Sequence, residues 1–159
     1  MKQTTDKQGF EDAMYVEAMT EIVEYCHDVV MPVDAAMIDL GCGKGVLVAA
    51  FLDEGWDALG VETDIEQCEY FAEHRGGEDR YAAVSCHDFT LGDFWINHDI
   101  FRNDAELITV IDSFGDLSDD QIRHTLQYER DFNDAEYFLL GVEPTDARPF
   151  TFWVELFAE

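Results

Sequence analysis

Met37-Ile38-Asp39-Leu40-Gly41-Cys42-Gly43-Lys44-Gly45 is the stretch whose reading decides the fold. Its lead-in, Ala35 to Leu40, is an apolar run of the kind that makes a strand buried on both faces. Three glycines at alternate positions follow, and Val46-Leu47-Val48-Ala49-Ala50-Phe51-Leu52 then predicts a helix. Strand, glycine turn and helix form the first half of a βαβ unit. The glycines let the backbone turn sharply and leave room for a ligand against the peptide chain. The helix start offers free N–H groups to an anionic ligand group.

The spacing separates several ligand classes. A dinucleotide fingerprint requires Gly-x-Gly-x-x-Gly; Gly41 and Gly43 fit, but Val46 holds the third position and the glycine falls one place early, at Gly45. Lys44 does not stand in the Gly-Lys-Ser/Thr setting of a phosphate-binding loop. The form present, Asp39-x-Gly41-x-Gly43-x-Gly45, resembles the first motif of class I S-adenosylmethionine-dependent methyltransferases. An acidic residue, Glu62, follows Gly43 by 19 positions, at the end of a second strand-like run, Ala58 to Glu62, where a carboxylate can accept both ribose hydroxyls. The resemblance spans residues 35–143. It implies S-adenosyl-L-methionine as cofactor, held by Asp39, Gly41, Cys42, Gly43, Glu62, Thr63, Asp88, Phe89 and Asp112. In it an acidic residue where the chain leaves the third strand takes the adenine amino group and the next backbone N–H meets a ring nitrogen; Asp88 fits that place, and Phe89 is the candidate to lie against the adenine. An unrelated nucleotide-binding α/β domain is the alternative.

Taken in order, the chain predicts a helix from Phe10 to Val30, with Met14, Ala18, Ile22, Cys26 and Val30 recurring along one face beside Met19 and Val23. Pro32 stops it. Residues 1–34 form an N-terminal helix region, and 35–159 a single S-adenosylmethionine-binding domain. A helix from Gly45 to Glu54 ends at Gly55. Strand two covers Asp57–Glu62. Thr63-x-x-Glu66 reads as a capping box for a helix running to Arg75, with Ile65, Cys68, Phe71 and Ala72 inward. Tyr81–His87 is strand three, and Glu106–Ile111 strand four. Phe94, Trp95 and Phe101 between them are candidates for core or for the wall of a substrate pocket. Ser118-x-x-Gln121 caps a helix to about Asp131, with Leu117 and Ile122 as a hydrophobic staple. Glu136–Val142 is strand five.

The expected architecture is α/β: a three-layer, Rossmann-like methyltransferase fold with parallel order 3-2-1-4-5. The aromatic stretch Phe150 to Phe157 reads as a C-terminal antiparallel edge strand, apolar on both faces. Such an edge needs a cover, which predicts a homodimer through it. Ligands of open α/β sheets lie beyond the carboxyl ends of the strands where the order reverses, so Asp112 and Ser113 after strand four face the reacting group.

Composition bounds the rest. Thirty-six acidic residues against nine basic ones give a net charge of −27, spread through the chain. Such self-repulsion is screened in concentrated salt, which predicts a halophilic source, cellular or viral, and a melting temperature that rises in molar KCl. The same charge argues against unaided nucleic-acid binding, which needs Lys and Arg on phosphates. No run reaches membrane-span length, and Met1 to Asp6 lacks a signal peptide's apolar core, so the expected location is cytoplasmic, in the host if the source is a virus. Cys26, Cys42, Cys68 and Cys86 show no Cys-x-x-Cys spacing, which leaves zinc unsupported and predicts reduced thiols.

The function expected is methyl transfer to a small molecule or a protein side chain; a binding or scaffold protein that kept the fold is the alternative. Asp112 is the candidate catalytic base, with His27, His87 and His98 behind it. Asp112 with Glu143 would be a magnesium pair, but the acidic-plus-amide pair of the metal-dependent group is absent, and no metal is expected. The Asn-Pro-Pro-Tyr type of motif used on amino nitrogens is absent after strand four, where Asp112-Ser113-Phe114-Gly115 stands.

Overall fold

A computed structural model describes residues 4–30, 35–76, 83–91, 105–132, 135–141 and 148–157. Its centre is a five-stranded parallel sheet of order β3-β2-β1-β4-β5, with β1 Ala36–Leu40, β2 Asp57–Glu62, β3 Val84–Cys86, β4 Leu107–Ile111 and β5 Tyr137–Gly141. Among the described residues five α-helices accompany it: α1 Thr4–Tyr25, α2 Val46–Asp53, α3 Ile65–Phe71, α4 Asp119–Phe132 and α5 Phe150–Leu156. π-turns extend α1 through Cys26–Val30 and α3 through Ala72–Gly76. This is the expected Rossmann-like layering.

β1 shows why the sheet needs two covers. All five of its residues are buried, and alternate side chains enter different cores. Met37 joins a cluster with Met19 and Val23 of α1, Leu47 and Phe51 of α2, Trp56 just ahead of β2, and Phe71 of α3. Ala36, Ile38 and Leu40 join the other, with Ile122, Trp153 and Leu156 from α4 and α5. The N-terminal helix thus shares a core with the sheet. Its inner face is rotated by one residue from the predicted stripe: Met19, Val23 and Cys26 are buried, Ile22 is half-buried and Ala18 is exposed. The side chains of Met14 and Val30 lie outside the described residues.

Capping chemistry sets the helix ends. At the end of α2, the Gly55 N–H donates to Leu52 and the Trp56 N–H to Phe51, and the Phe51 and Trp56 rings lie 4.9 Å apart. Burial of those two rings contributes about 2–3 kcal/mol each. At α4, Ser118 and Gln121 exchange the predicted pair of capping bonds, and Leu117 packs against the cluster that holds Ile122. At α3 the cap is Asp64 rather than Thr63: its carboxylate accepts from the Glu66 N–H at 2.9 Å. A carboxylate on an orphan N–H binds more strongly than a threonine hydroxyl, and Asp64 is one residue nearer the helix. Ile65, predicted inward, is consequently exposed.

The last element overturns an expectation. Phe150–Leu156 is a helix, not an antiparallel edge strand, and the sheet of the described residues ends at β5. Pro149, with φ −68 and ψ 151, supplies the helix entry. Trp153 and Leu156, three apart, are the residues buried, a helical rather than alternating pattern. Arg148 holds the entry in place. Its guanidinium donates to the carbonyls of Phe114 and Leu117 and to Asp119, and lies 5.7 Å from both the Phe152 and Trp153 rings. The homodimer expected through a strand at Phe150 to Phe157 therefore has no strand to form on.

Candidate active site

The site collects at the carboxyl ends of the strands. After β1 the chain turns through Gly41, Gly43 and Gly45 at φ 73, 53 and 65. The Gly41 and Cys42 N–H groups both donate to the Val61 carbonyl, which pins the bend to β2. Two glycines are required by packing. A Cβ on Gly41 would stand 2.3 Å from the Ser113 Cβ, and one on Gly45 2.3 Å from the Phe71 ring. Gly43 differs: beyond its chain neighbours, no atom of the described residues lies within 4 Å of where its Cβ would be.

Glu62 faces this bend. One carboxylate oxygen accepts from the Gly43 N–H at 2.7 Å and the other from the Asp64 N–H at 2.8 Å. Thr63 between them is exposed. Cys42 turns inward against Gly60, so it meets the site through its backbone. Burial, then the charges of Asp39 and Glu62, raise its thiol well above the ordinary range.

Asp39 lies beneath the bend, 3% exposed. The Thr109 hydroxyl of β4, its register neighbour, donates to the carboxylate at 2.7 Å. Burial pushes the Asp39 carboxyl up to about 7, with the Thr109 hydrogen bond pulling it down and the Glu62 charge adding to the rise.

β4 delivers the opposing wall. Asp112 is exposed and sits at φ 56, with its N–H on the Gly141 carbonyl at 2.9 Å. The Ser113 hydroxyl donates to Leu40 at 2.7 Å and so ties this turn to the glycine bend. At the exit of β3, the Asp88 carboxylate accepts from both the N–H and hydroxyl of Thr90. Phe89 is buried under the bend, its ring edge 3.6 Å from the Cβ position of Gly41.

One contributor was missed by sequence reading. Tyr15 of α1 is 44% exposed and close enough to feel the site: partial burial raises its phenol, and the charges of Asp39, Asp112 and Cys42 add to the rise. The signal was its position four before Met19 on the face that proves to be inward. His27 lies beside Asp28 at the far end of α1, about three turns from Tyr15. His98, Glu143, Phe94, Trp95 and Phe101 fall outside the described residues. Among those described, no group of three or more metal-ligating side chains is placed to hold a metal, and no helix is long and apolar enough to cross a membrane.

No protein-family model matches the chain, and no curated protein matches it by sequence. Solved structures do. A TehB-like SAM-dependent methyltransferase from Corynebacterium glutamicum superposes with a TM-score of 0.69 at 18% identity, over 94% of this chain and 79% of that one. DesVI of Streptomyces venezuelae gives 0.61 at 14% identity, over 81% and 51%. The glycopeptide N-methyltransferase MtfA, solved with S-adenosyl-L-methionine, gives 0.59 at 19% identity, over 76% and 53%. The chain thus spans about half the length of the latter two. Strand order, glycine bend and these likenesses agree: the chain has the Rossmann-like fold of the class I SAM-dependent methyltransferases.

Proposed function

We propose that the protein is an S-adenosylmethionine-dependent methyltransferase whose acceptor is a small molecule or a protein side chain. One observation carries the reading: a carboxylate, Glu62, is held 2.7 Å from the N–H of the one bend glycine that has open space before it. That cradle fits a ribose and a backbone-hugging ligand, whereas Gly41 and Gly45 are closed by packing. Glu62 would take the ribose hydroxyls, Asp88 and the Phe89 N–H the adenine edge, and the bend with Asp39 the methionine end.

When bound, S-adenosylmethionine supplies an activated methyl group on a sulfonium. The chain's own task is to align an acceptor and exclude water. Asp112, exposed on the β4 turn at φ 56, would accept a proton from the acceptor, and Tyr15 would cover the site from α1. Calorimetric titration with S-adenosylmethionine and S-adenosylhomocysteine tests the binding, and transfer of a labelled methyl group into extract fractions tests the activity. Binding of both with transfer is expected. No heat from either compound sinks the reading; binding without transfer makes the protein a scaffold that kept the fold.

A further inference from the structure

Two thiols flank Glu62 at the sheet edge, and nothing in the methyl transfer uses them. Cys86, the last residue of β3, pairs in register with Glu62, so their side chains leave the sheet side by side, about 5 Å apart. Cys68 of α3 hangs over the same point: its thiol donates to the Glu62 carbonyl at 3.6 Å, an oxygen that also accepts from the His87 N–H at 2.8 Å. Val84, two residues before Cys86 on the same strand, packs on the cluster that holds Phe71 of α3, so Cys86 leaves the sheet on the side where α3 lies, and neither thiol is in a disulfide. Cys26 and Cys42 are buried; Cys68 is half-buried and Cys86 exposed.

We propose that Cys68 and Cys86 form a modification site at which a disulfide of the glutathione class closes an intramolecular disulfide, stapling α3 to β3 beside Glu62. The exposed Cys86, as thiolate, attacks one sulfur of glutathione disulfide. That S–S bond breaks, a Cys86–glutathione bond forms, and the departing glutathione thiolate takes up the proton that Cys86 released. Cys68 then loses its proton and attacks the Cys86 sulfur. The second glutathione leaves as thiolate and takes up the Cys68 proton. Two protein thiols are oxidised by two electrons, and one glutathione disulfide is reduced to two thiols.

The order of attack follows from the surroundings. Burial, then the hydrogen bond and charge of Cys86, then the charge of Glu62, push the Cys68 thiol up to about 12. Cys68 is therefore the proton-holding partner while Cys86 is free. Once Cys86 carries glutathione, its sulfur holds no thiolate charge and is the electrophile that the neighbouring Cys68 attacks. Because the staple forms beside the carboxylate assigned to the ribose, a ligand on Glu62 shields Cys86. This coupling rests on the methyltransferase reading; the thiol chemistry does not.

The test treats the reduced full-length chain with graded glutathione disulfide, then counts free thiols and maps cross-linked peptides. The expected result is a fall from four free thiols to two and one peptide pair joining Cys68 to Cys86. Cys68→Ser should stop at a stable glutathione adduct on Cys86, and Cys86→Ser should react about tenfold or more slowly. A link through Cys26 or Cys42, or two separate adducts without closure, overturns the proposal. Saturating S-adenosylmethionine should slow closure about tenfold. An unchanged rate in protein that binds the compound overturns the coupling. Closure of the 68–86 link in protein that does not bind it sinks the methyltransferase reading and leaves the dithiol site standing.

Discussion

Two bends leave neighbouring strands at the same end of the sheet, and they solve the same problem in opposite ways. The bend after β1 reaches its left-handed conformations with glycines 41, 43 and 45. The bend after β4 places Asp112 there, the non-glycine residue with positive φ among those described. At Gly41 glycine is compulsory, because Ser113 occupies the space of a Cβ. At Asp112 the side chain meets solvent, so a Cβ is tolerated at a backbone cost of about 1 kcal/mol. Packing dictates the first bend. The second retains a carboxylate where glycine would sit more easily, which supports the proposed use of Asp112 as a base.

The largest test of this contrast titrates the floor of the first bend. Asp39 has an ordinary carboxyl value of 3.8 and is pushed to about 7 in the fold. A raised carboxyl contributes stability that is complete below about pH 4 and is lost as pH climbs toward 7. At about 1.36 kcal/mol per unit, Asp39 should account for about 4 kcal/mol of that loss. Urea unfolding of the wild type and Asp39→Asn across pH 4 to 8 should show the variant lacking this part of the slope. A cationic ligand favours the charged carboxylate, so S-adenosylmethionine affinity should rise with pH up to about 7 and stop rising with pH in the variant. Parallel slopes would show that Asp39 ionises freely in the fold.

Substitution of the bend comes next. Gly41→Ala combines the collision with Ser113 and the φ of 73; it should cost about 3 kcal/mol, or about 10 °C in melting temperature. Gly43→Ala meets no neighbour and should cost only about 1 kcal/mol, yet its methyl group projects into the space assigned to the ligand and should weaken S-adenosylmethionine binding about tenfold or more. Equal stability losses in the two variants would erase the distinction between a packing glycine and a ligand glycine.

The first bend was legible in the sequence because residue type alone specifies it. Alternate glycines after a doubly buried strand, with an acid at the end of the next, have few other uses. Phe150 to Phe157 was misread because aromatic and β-branched residues suit a strand locally, whereas Arg148, Pro149 and the docking of Trp153 on Phe114, ring centroids 6.3 Å apart, are decided by tertiary contact. Tyr15 escaped notice for a related reason. A helix that scatters six acidic residues among its apolar ones shows a blurred apolar face, and a rotation of one residue decides which side chain meets the site. Asp64 displaced Thr63 as cap by a similar one-residue competition.

The smallest expected effect lies at the second bend. Asp112→Gly removes the left-handed strain but gives the unfolded chain more freedom, two terms of about 1 kcal/mol that oppose each other. Stability should therefore move by about 0.5 kcal/mol or less, while methyl transfer falls if the carboxylate accepts the acceptor's proton. Asp112→Asn sharpens the result: asparagine tolerates the same backbone conformation but cannot take the proton. Activity retained in Asp112→Asn and lost in Asp112→Gly would assign the residue a shape role instead. If both variants are as stable as the wild type and both are inactive, the exposed residue at φ 56 is held there for its charge, and the two bends differ as packing differs from chemistry.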